Sequence, residues 1–316
     1  MLVIGEVRTC LLHNAESLPQ PVAAQLLELV PGRRVLSAGR PVGRSVSPEL
    51  TVGVDCRLAT KSRKGVRGTA RGIGTVTSHA VITAGSVLQG SAKTHVRHAT
   101  ADHRLAWSHY AGQPGVIEVI SPADTADFAA GYLADTSPQC TLDLGSVSGH
   151  LISSVQMNPQ LDHITRVRSR LTRVCWAAGV SDSDTPVARV HAKDDLVRTI
   201  ELKMPKEQLG LAARFCEDFA LHDWLLTTVT QVIEQADRAE IAGQEAIDIL
   251  KPAVKRLLHL WMPGTFVDPA MRTLWDALER QSGFSLQWNA QAVRIRDWID
   301  LRTLQALERV RHSNLE

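Results

Sequence analysis

The amino-acid sequence predicts an α+β protein with a β-rich part over residues 1–204, followed by an antiparallel four-helix bundle over residues 205–316. Three observations predict this class. In the first part, β-branched residues alternate with Gly, Ser and Thr, as is typical of strands. In the second part, apolar residues recur three and four positions apart, as on one face of a helix, and five of the seven Trp residues lie there. Because no Gly/Ser-rich linker separates the parts, we expect one continuous unit.

The β-rich part is predicted from alternating patterns and from the turn residues between them. The predicted strands are 2–12, 52–58, two or three antiparallel strands within 66–98, 164–176, 187–192 and 197–202. The predicted helices are 19–30, 124–133 and 150–163. The last two strands bracket Lys193-Asp194-Asp195-Leu196, which is a good hairpin turn.

The first helix of the second part begins at Pro205, a favoured first helical position, and carries one apolar face over about six turns. The residues of this face are Leu211, Phe215, Phe219, His222, Leu226, Val229 and Ile233. A second helix is predicted over 244–261, with Pro252 as a possible kink.

The third helix is predicted from its caps, since Asp268 and Pro269 open it and Gly283 ends it after Arg280. A fourth helix is predicted over 284–310. Its candidate inward residues are Trp288, Ile295, Ile299 and Leu307. Connections this short favour antiparallel neighbours, and therefore a bundle.

The composition is typical of an ordinary globular protein, with 316 residues, 44% apolar residues and a net charge of +2. The five Cys lie far apart without a C-x-x-C pair, which fits a reducing cytoplasm. Neither a signal peptide nor a membrane span is indicated. We therefore expect a cytoplasmic protein.

Common catalytic and cofactor motifs are absent from the sequence, including G-x-x-x-x-G-K-[ST], H-E-x-x-H and G-x-S-x-G. The glycines at 65, 68, 72 and 74 do not form G-x-G-x-x-G, and we expect them to serve turns and bulges. No cofactor is therefore expected.

Asp218 and His222 are the candidate catalytic pair, because residues four apart are neighbours on one helix face. A carboxylate that orients an imidazole is half of an acid–base pair. The sequence names no nucleophile beside them. The alternative is a partly buried His that Asp218 holds inside the bundle.

A histidine-rich segment is the candidate metal site. It contains His95, His98, His103 and His109, with Asp102 alongside. Three imidazoles and a carboxylate could bind catalytic zinc. On a strand, however, His95 and His98 face opposite sides. The alternative is a set of surface histidines around a Trp107–Tyr110 anchor.

Residues 57–101 contain no Asp or Glu and form the strongest local charge pattern. Their basic residues are Arg57, Lys61, Arg63, Lys64, Arg67, Arg71, Lys93 and Arg97. A second basic set, Arg166, Arg168 and Arg170, would share one face of a strand. Such sets can neutralise phosphates, but this stretch nearly lacks the aromatics that stack on bases. An acidic partner protein is the alternative.

Several segments carry a resemblance that runs over nearly the whole chain. They are Gly5–Leu12, Gly53–Cys56, Trp107–Tyr110, Leu221–Thr228 and Leu258–Gly264. The chain resembles an uncharacterised actinobacterial (Streptomyces-type) protein family encoded beside a P-loop ATPase-like protein and a SAM-dependent methyltransferase. The resemblance implies that this chain is one of several co-encoded parts.

Three functions are therefore open. The first is a non-catalytic subunit or adaptor of a multiprotein assembly that binds co-encoded partners. The second is a hydrolase or transferase that uses His222 and Asp218, or the histidine-rich metal site. The third is nucleic-acid binding through the basic residues between 57 and 97.

Overall fold

A large mixed sheet forms the centre of the molecule in the computed structural model, which describes residues 1–62, 64–134, 141–181, 183, 185–241 and 246–313. Within these residues the sheet has ten strands, and eight α-helices accompany it. The α+β class is therefore confirmed. The antiparallel four-helix bundle stays a prediction.

The strands are β1 (Leu2–Leu11), β2 (Leu36–Ala38), β3 (Arg44–Val46), β4 (Leu50–Lys61), β5 (Arg67–Thr83), β6 (Val87–His98), β7 (Val116–Ile120), β8 (Thr172–Val180), β9 (Val187–Ala192) and β10 (Val197–Met204). The helices are α1 (Gln20–Leu26), α2 (Trp107–Ala111), α3 (Thr125–Ala134), α4 (Leu144–Gln156), α5 (Ala212–Ile241), α6 (Ala246–Arg256), α7 (Arg272–Ser282) and α8 (Phe284–Ser313). A 3-10 helix, Lys206–Leu211, leads into α5.

The sheet contains a fork at its centre. β5 and β6 pair antiparallel from Thr83 opposite Val87 to Thr77 opposite Lys93, and β7 then enters between them. It runs antiparallel to β5 and parallel to β6. Gly74 permits this close approach, because a Cβ there would lie 2.0 Å from the carbonyl oxygen of Val116.

Different helices pack on the two faces of the sheet. Along β1, Val3 and Val7 point to a core that α5 shares with α6, α7 and α8, whereas Leu2 and Ile4 point to a core with α3. This alternation follows from the two-residue period of a strand. Because α5 packs on β1, β6 and β8 as well as on α6 and α8, residues of both predicted parts share one core.

The predicted strand over 164–176 is wrong in its first half. β8 begins at Thr172, and β1 pairs with it only as far as Thr9. The preceding segment instead lies on α5, where Val167 is buried and the carbonyl of Arg170 accepts a hydrogen bond from Trp224 Nε1. Burial of Val167 on the helix takes the place of strand pairing, so the second basic set does not share a strand face.

The fourth helix exposes part of its predicted inward face. Trp288 and Ile295 are buried, but Ile299 is 42% exposed and Leu307 is 62% exposed. The inward prediction for these last two residues is therefore wrong. The helix continues to Ser313, whereas the core against which it packs includes no described side chain of α8 after Trp298.

The predicted helix over 150–163 lies earlier in the chain, because Asp143 caps α4 through the amide of Ser146. No helix in the described part of the chain combines the length and apolar character that a membrane crossing requires.

Candidate anion-binding cleft

His222 and Asp218 both bind backbone groups inside the core. The amide of Met262 donates to His222 Nε2 (3.2 Å), so Nδ1 carries the proton and donates to the carbonyl of Asp218 (2.7 Å). Asp218 Oδ2 accepts from the amide of Gly264 (2.9 Å). Burial lowers the pKa of His222 and raises that of Asp218. The pair holds residues 262–264 against α5.

The four candidate metal ligands have different surroundings. His95 is half-buried on β6, His98 Nδ1 lies 3.1 Å from the carbonyl of Ser121, and His103 pairs with Asp102. His109 Nε2 lies 3.1 Å from a carboxylate oxygen of Glu118. Among the described residues, no three or more His, Cys, Asp and Glu side chains form a group that could hold a metal ion.

The basic residues of 57–71 and those of 166–170 occupy two separate surfaces. Arg57 and Lys61 lie on β4, Arg67 and Arg71 lie on β5, and Lys64 is exposed near the end of their hairpin. Arg63 lies outside the described residues.

The second surface is a groove beside α5. Arg168 and Arg170 line a cavity of about 750 Å³ there, and Arg166 lines an adjoining cavity of about 450 Å³. Asp195, Asp223 and Glu234 also line the larger cavity. Because charges of both signs face this groove, it favours no single sign of ligand.

A smaller cleft of about 530 Å³ lies where β2, β3, β5 and β6 meet the first two turns of α5. At its base, Glu217 Oε2 lies 2.9 Å from Arg44 Nη2, and Glu217 Oε1 lies 2.8 Å from His79 Nε2. All three side chains are largely buried. Gln89 donates to the carbonyl of Glu217 and so ties the helix to β6.

Glu217 is ionised at neutral pH. Burial alone would raise the pKa of its carboxyl, but His79 and Arg44 outweigh burial and hold the pKa at about 2. For Arg44 the effect of burial is larger than that of the Glu217 charge, so the pKa of its guanidinium is lowered. The cluster therefore depends on its charges remaining paired.

Arg44 has one guanidinium nitrogen without a hydrogen-bond partner. Its residue is only 5% exposed, and Nη1 is buried without a hydrogen bond to any described residue. The guanidinium also lies 4.9 Å from the centre of the Phe266 ring. A buried donor without an acceptor costs free energy, so this geometry favours an added oxygen acceptor in the cleft.

The other charged side chains of the cleft lining are cationic. Arg34, Lys93 and Arg214 line it together with Arg44 and His79, and Glu217 is the only acidic residue among the described lining residues. Ala213, in the first turn of the 30-residue helix α5, adds the positive end of its dipole. The cleft therefore attracts anions.

Sequence reasoning missed this cleft because its residues are far apart along the chain. Glu217 is adjacent to the candidate Asp218, but its partners come 173 and 138 residues earlier, on β3 and β5 (217 − 44 and 217 − 79). A helix pattern can only indicate partners three or four positions away.

No family model matches this chain, and no curated protein or solved structure is significantly similar to it.

Proposed function

We propose that this protein binds a small organic anion in the cleft beside α5. The observation that carries the proposal is the buried Nη1 of Arg44, which faces no acceptor among the described residues. Guanidinium groups bind carboxylate and phosphate oxygens through two parallel hydrogen bonds when both nitrogens are available. Here Nη2 is held by Glu217, which leaves Nη1 for a ligand oxygen.

The size and lining of the cleft support a ligand larger than a bare ion. About 530 Å³ lies within the range of small-molecule sites. Leu36, Ala38 and Val46 form an apolar part of the same lining. A carbon skeleton with one or more phosphate or carboxylate groups would fit both parts.

Arg34 provides the test with the least risk to folding, because it lines the cleft and is exposed. We expect pyrophosphate and citrate to bind the full chain in isothermal titration calorimetry. Arg34→Ala is expected to weaken that binding roughly threefold to tenfold through loss of one charge-assisted contact.

Arg33→Ala is the matched control, since Arg33 is exposed, adjacent and outside the cleft lining. It should leave the affinity unchanged. Equal losses in the two variants, or no saturable heat with either anion, would contradict the proposal.

The pair of His79 and Glu217 favours a second candidate function, a hydrolase or transferase acting on that anion. Glu217 Oε1 lies 2.8 Å from Nε2 of His79, so Nδ1 is the ring nitrogen that this carboxylate leaves for a ligand. This candidate predicts turnover of p-nitrophenyl phosphate that is lost in His79→Gln while pyrophosphate still binds. Turnover that persists in His79→Gln would remove it.

We also propose that the protein acts as a non-catalytic cytoplasmic subunit beside a P-loop ATPase-like protein and a methyltransferase. This part of the proposal rests on the family resemblance. The contacts of α5 with α6 and α8 support the prediction that the C-terminal part of the chain is a four-helix bundle. Isolation of this chain alone from its native host, at native expression, would contradict the subunit role.

A further inference from the structure

The hairpin of β4 and β5 carries a row of cations on one face. Arg57 lies directly opposite Arg71, and Lys61 lies directly opposite Arg67. Opposed residues on antiparallel strands share a face, so all four side chains lie together. We call this surface, with Gly53 and Asp55 of β4, the ribbon face.

The other face of the hairpin packs against the core of the molecule. Leu58 and its partner Ala70 are buried there in the core that contains α3. The cations of the ribbon face therefore point away from the core. Arg57, Arg67 and Arg71 are exposed, and Lys61 is half-buried.

The charges of the ribbon face are only partly balanced. Arg71 forms two hydrogen bonds with Asp55, at 2.9 and 3.0 Å. Arg57, Lys61 and Arg67 have no ion pair with any residue that the structure describes. Like charges directly opposite each other destabilise a sheet, so these positions favour an external anion with several charges.

The fold also brings an aromatic side chain to this surface. Gly53 lies on the ribbon face, and the Trp107 ring would be 3.2 Å from a Cβ at that position. The Arg104 guanidinium lies 5.3 Å from the centre of this ring and 4.0 Å from Asp55. Trp107 is 42% exposed. The basic residues of the ribbon face, which nearly lack aromatic neighbours in the sequence, thus have Trp107 beside them in the fold.

We infer that the ribbon face binds single-stranded nucleic acid, with Trp107 stacking on a base and the cation row following the phosphates. From Gly53 to Lys61 the strand spans roughly 26 Å, which is long enough for several nucleotides. The Trp ring favours a single strand over a duplex, because paired bases do not expose their ring faces to a side chain. It also favours nucleic acid over an acidic protein, which needs no stacking partner.

Fluorescence anisotropy with labelled oligo(dT) and oligo(U) of about twelve nucleotides tests this inference. We expect binding whose logarithm falls linearly with the logarithm of salt concentration between about 50 and 200 mM. The triple variant Arg57→Ala/Lys61→Ala/Arg67→Ala should bind at least tenfold more weakly. Its salt slope should fall by about two, since each phosphate contact contributes about 0.7.

A charge-matched control is Lys206→Ala/Lys251→Ala/Arg280→Ala, which removes three exposed cations that lie outside the ribbon face. It should keep the affinity and the slope. Trp107→Ala should bind roughly tenfold more weakly with the slope unchanged, because stacking releases no counterions. Arg34→Ala should bind the oligonucleotides normally, which separates this surface from the cleft.

Three results would overturn the inference. The first is equal weakening by the two triple variants, which would indicate net charge alone. The second is binding of a blunt duplex as tightly as the single strand. The third is binding of polyglutamate as tightly as oligo(dT) with no effect of Trp107→Ala, which would assign the surface to an acidic protein.

Discussion

Replacement of Glu217 by Gln is expected to lower the free energy of unfolding by about 3–5 kcal/mol. The change keeps the shape of the side chain but removes its charge. Arg44 would then remain buried without its counter-ion, and His79 would lose the carboxylate 2.8 Å from its Nε2. Urea unfolding of the full chain at neutral pH measures the difference.

The stability difference between the wild type and Glu217→Gln should depend on pH. The pKa of Glu217 is about 2 in the folded protein, below its ordinary 4.5. A carboxyl group with a lowered pKa contributes stability above its ordinary value and loses that contribution as the pH falls toward the folded value. The gap between wild type and Glu217→Gln should therefore narrow from about pH 4.5 to about pH 2.

Two further variants make this result interpretable. Glu207→Gln changes an exposed carboxylate on the 3-10 helix before α5 and should alter stability by less than about 0.5 kcal/mol. The double variant Arg44→Met/Glu217→Leu removes both charges and should recover most of the lost stability, because buried pairs can be exchanged for apolar groups. A loss below about 1 kcal/mol in Glu217→Gln would show that the charges are not coupled as the distances indicate.

Replacement of His222 by Ala is the second large effect, with an expected loss of roughly 3–5 kcal/mol. The ring packs edge-on against Trp261 and Trp275, at 5.2 and 5.6 Å between ring centres. Its removal would leave a cavity in this aromatic cluster and deprive the Met262 amide of its acceptor. Chemical denaturation of the purified variant measures the loss.

His259 provides the matched control, because it is an exposed histidine on the adjoining turn. His259→Ala should change the free energy of unfolding by less than about 0.5 kcal/mol. If His222→Ala proved as stable as the wild type, the ring would not support the 262–264 segment, and its catalytic interpretation would regain weight.

Elements with local signals were predictable from the sequence. β1 occupies Leu2–Leu11, and the β9–β10 hairpin turns at Lys193–Leu196, where Asp194 Oδ1 accepts from the amides of Leu196 and Val197. Gly283 ends α7 with a positive φ of 61°. Turn, cap and period act within a few residues, so they can be recognised without knowledge of the fold.

The sequence also indicated the basic residues of the ribbon face, but not the aromatic side chain that joins them. The basic residues of 57–71 are visible as an acid-free stretch, whereas Trp107 reaches Gly53 only when the chain returns beyond β6. The histidines between 95 and 109 are close in sequence, yet no group of three or more that could hold a metal ion forms among the described residues. Nearness along the chain does not decide nearness in a folded molecule.

By itself, the sequence determined the α+β class, most strands and helices, and the distribution of charge along the chain. Only the tertiary structure decided that Arg44, His79 and Glu217 meet, that the 164–171 segment lies on α5, and that Ile299 and Leu307 are exposed. The physical reason is that local propensities act over a few residues, whereas these positions depend on which distant surfaces exclude water together.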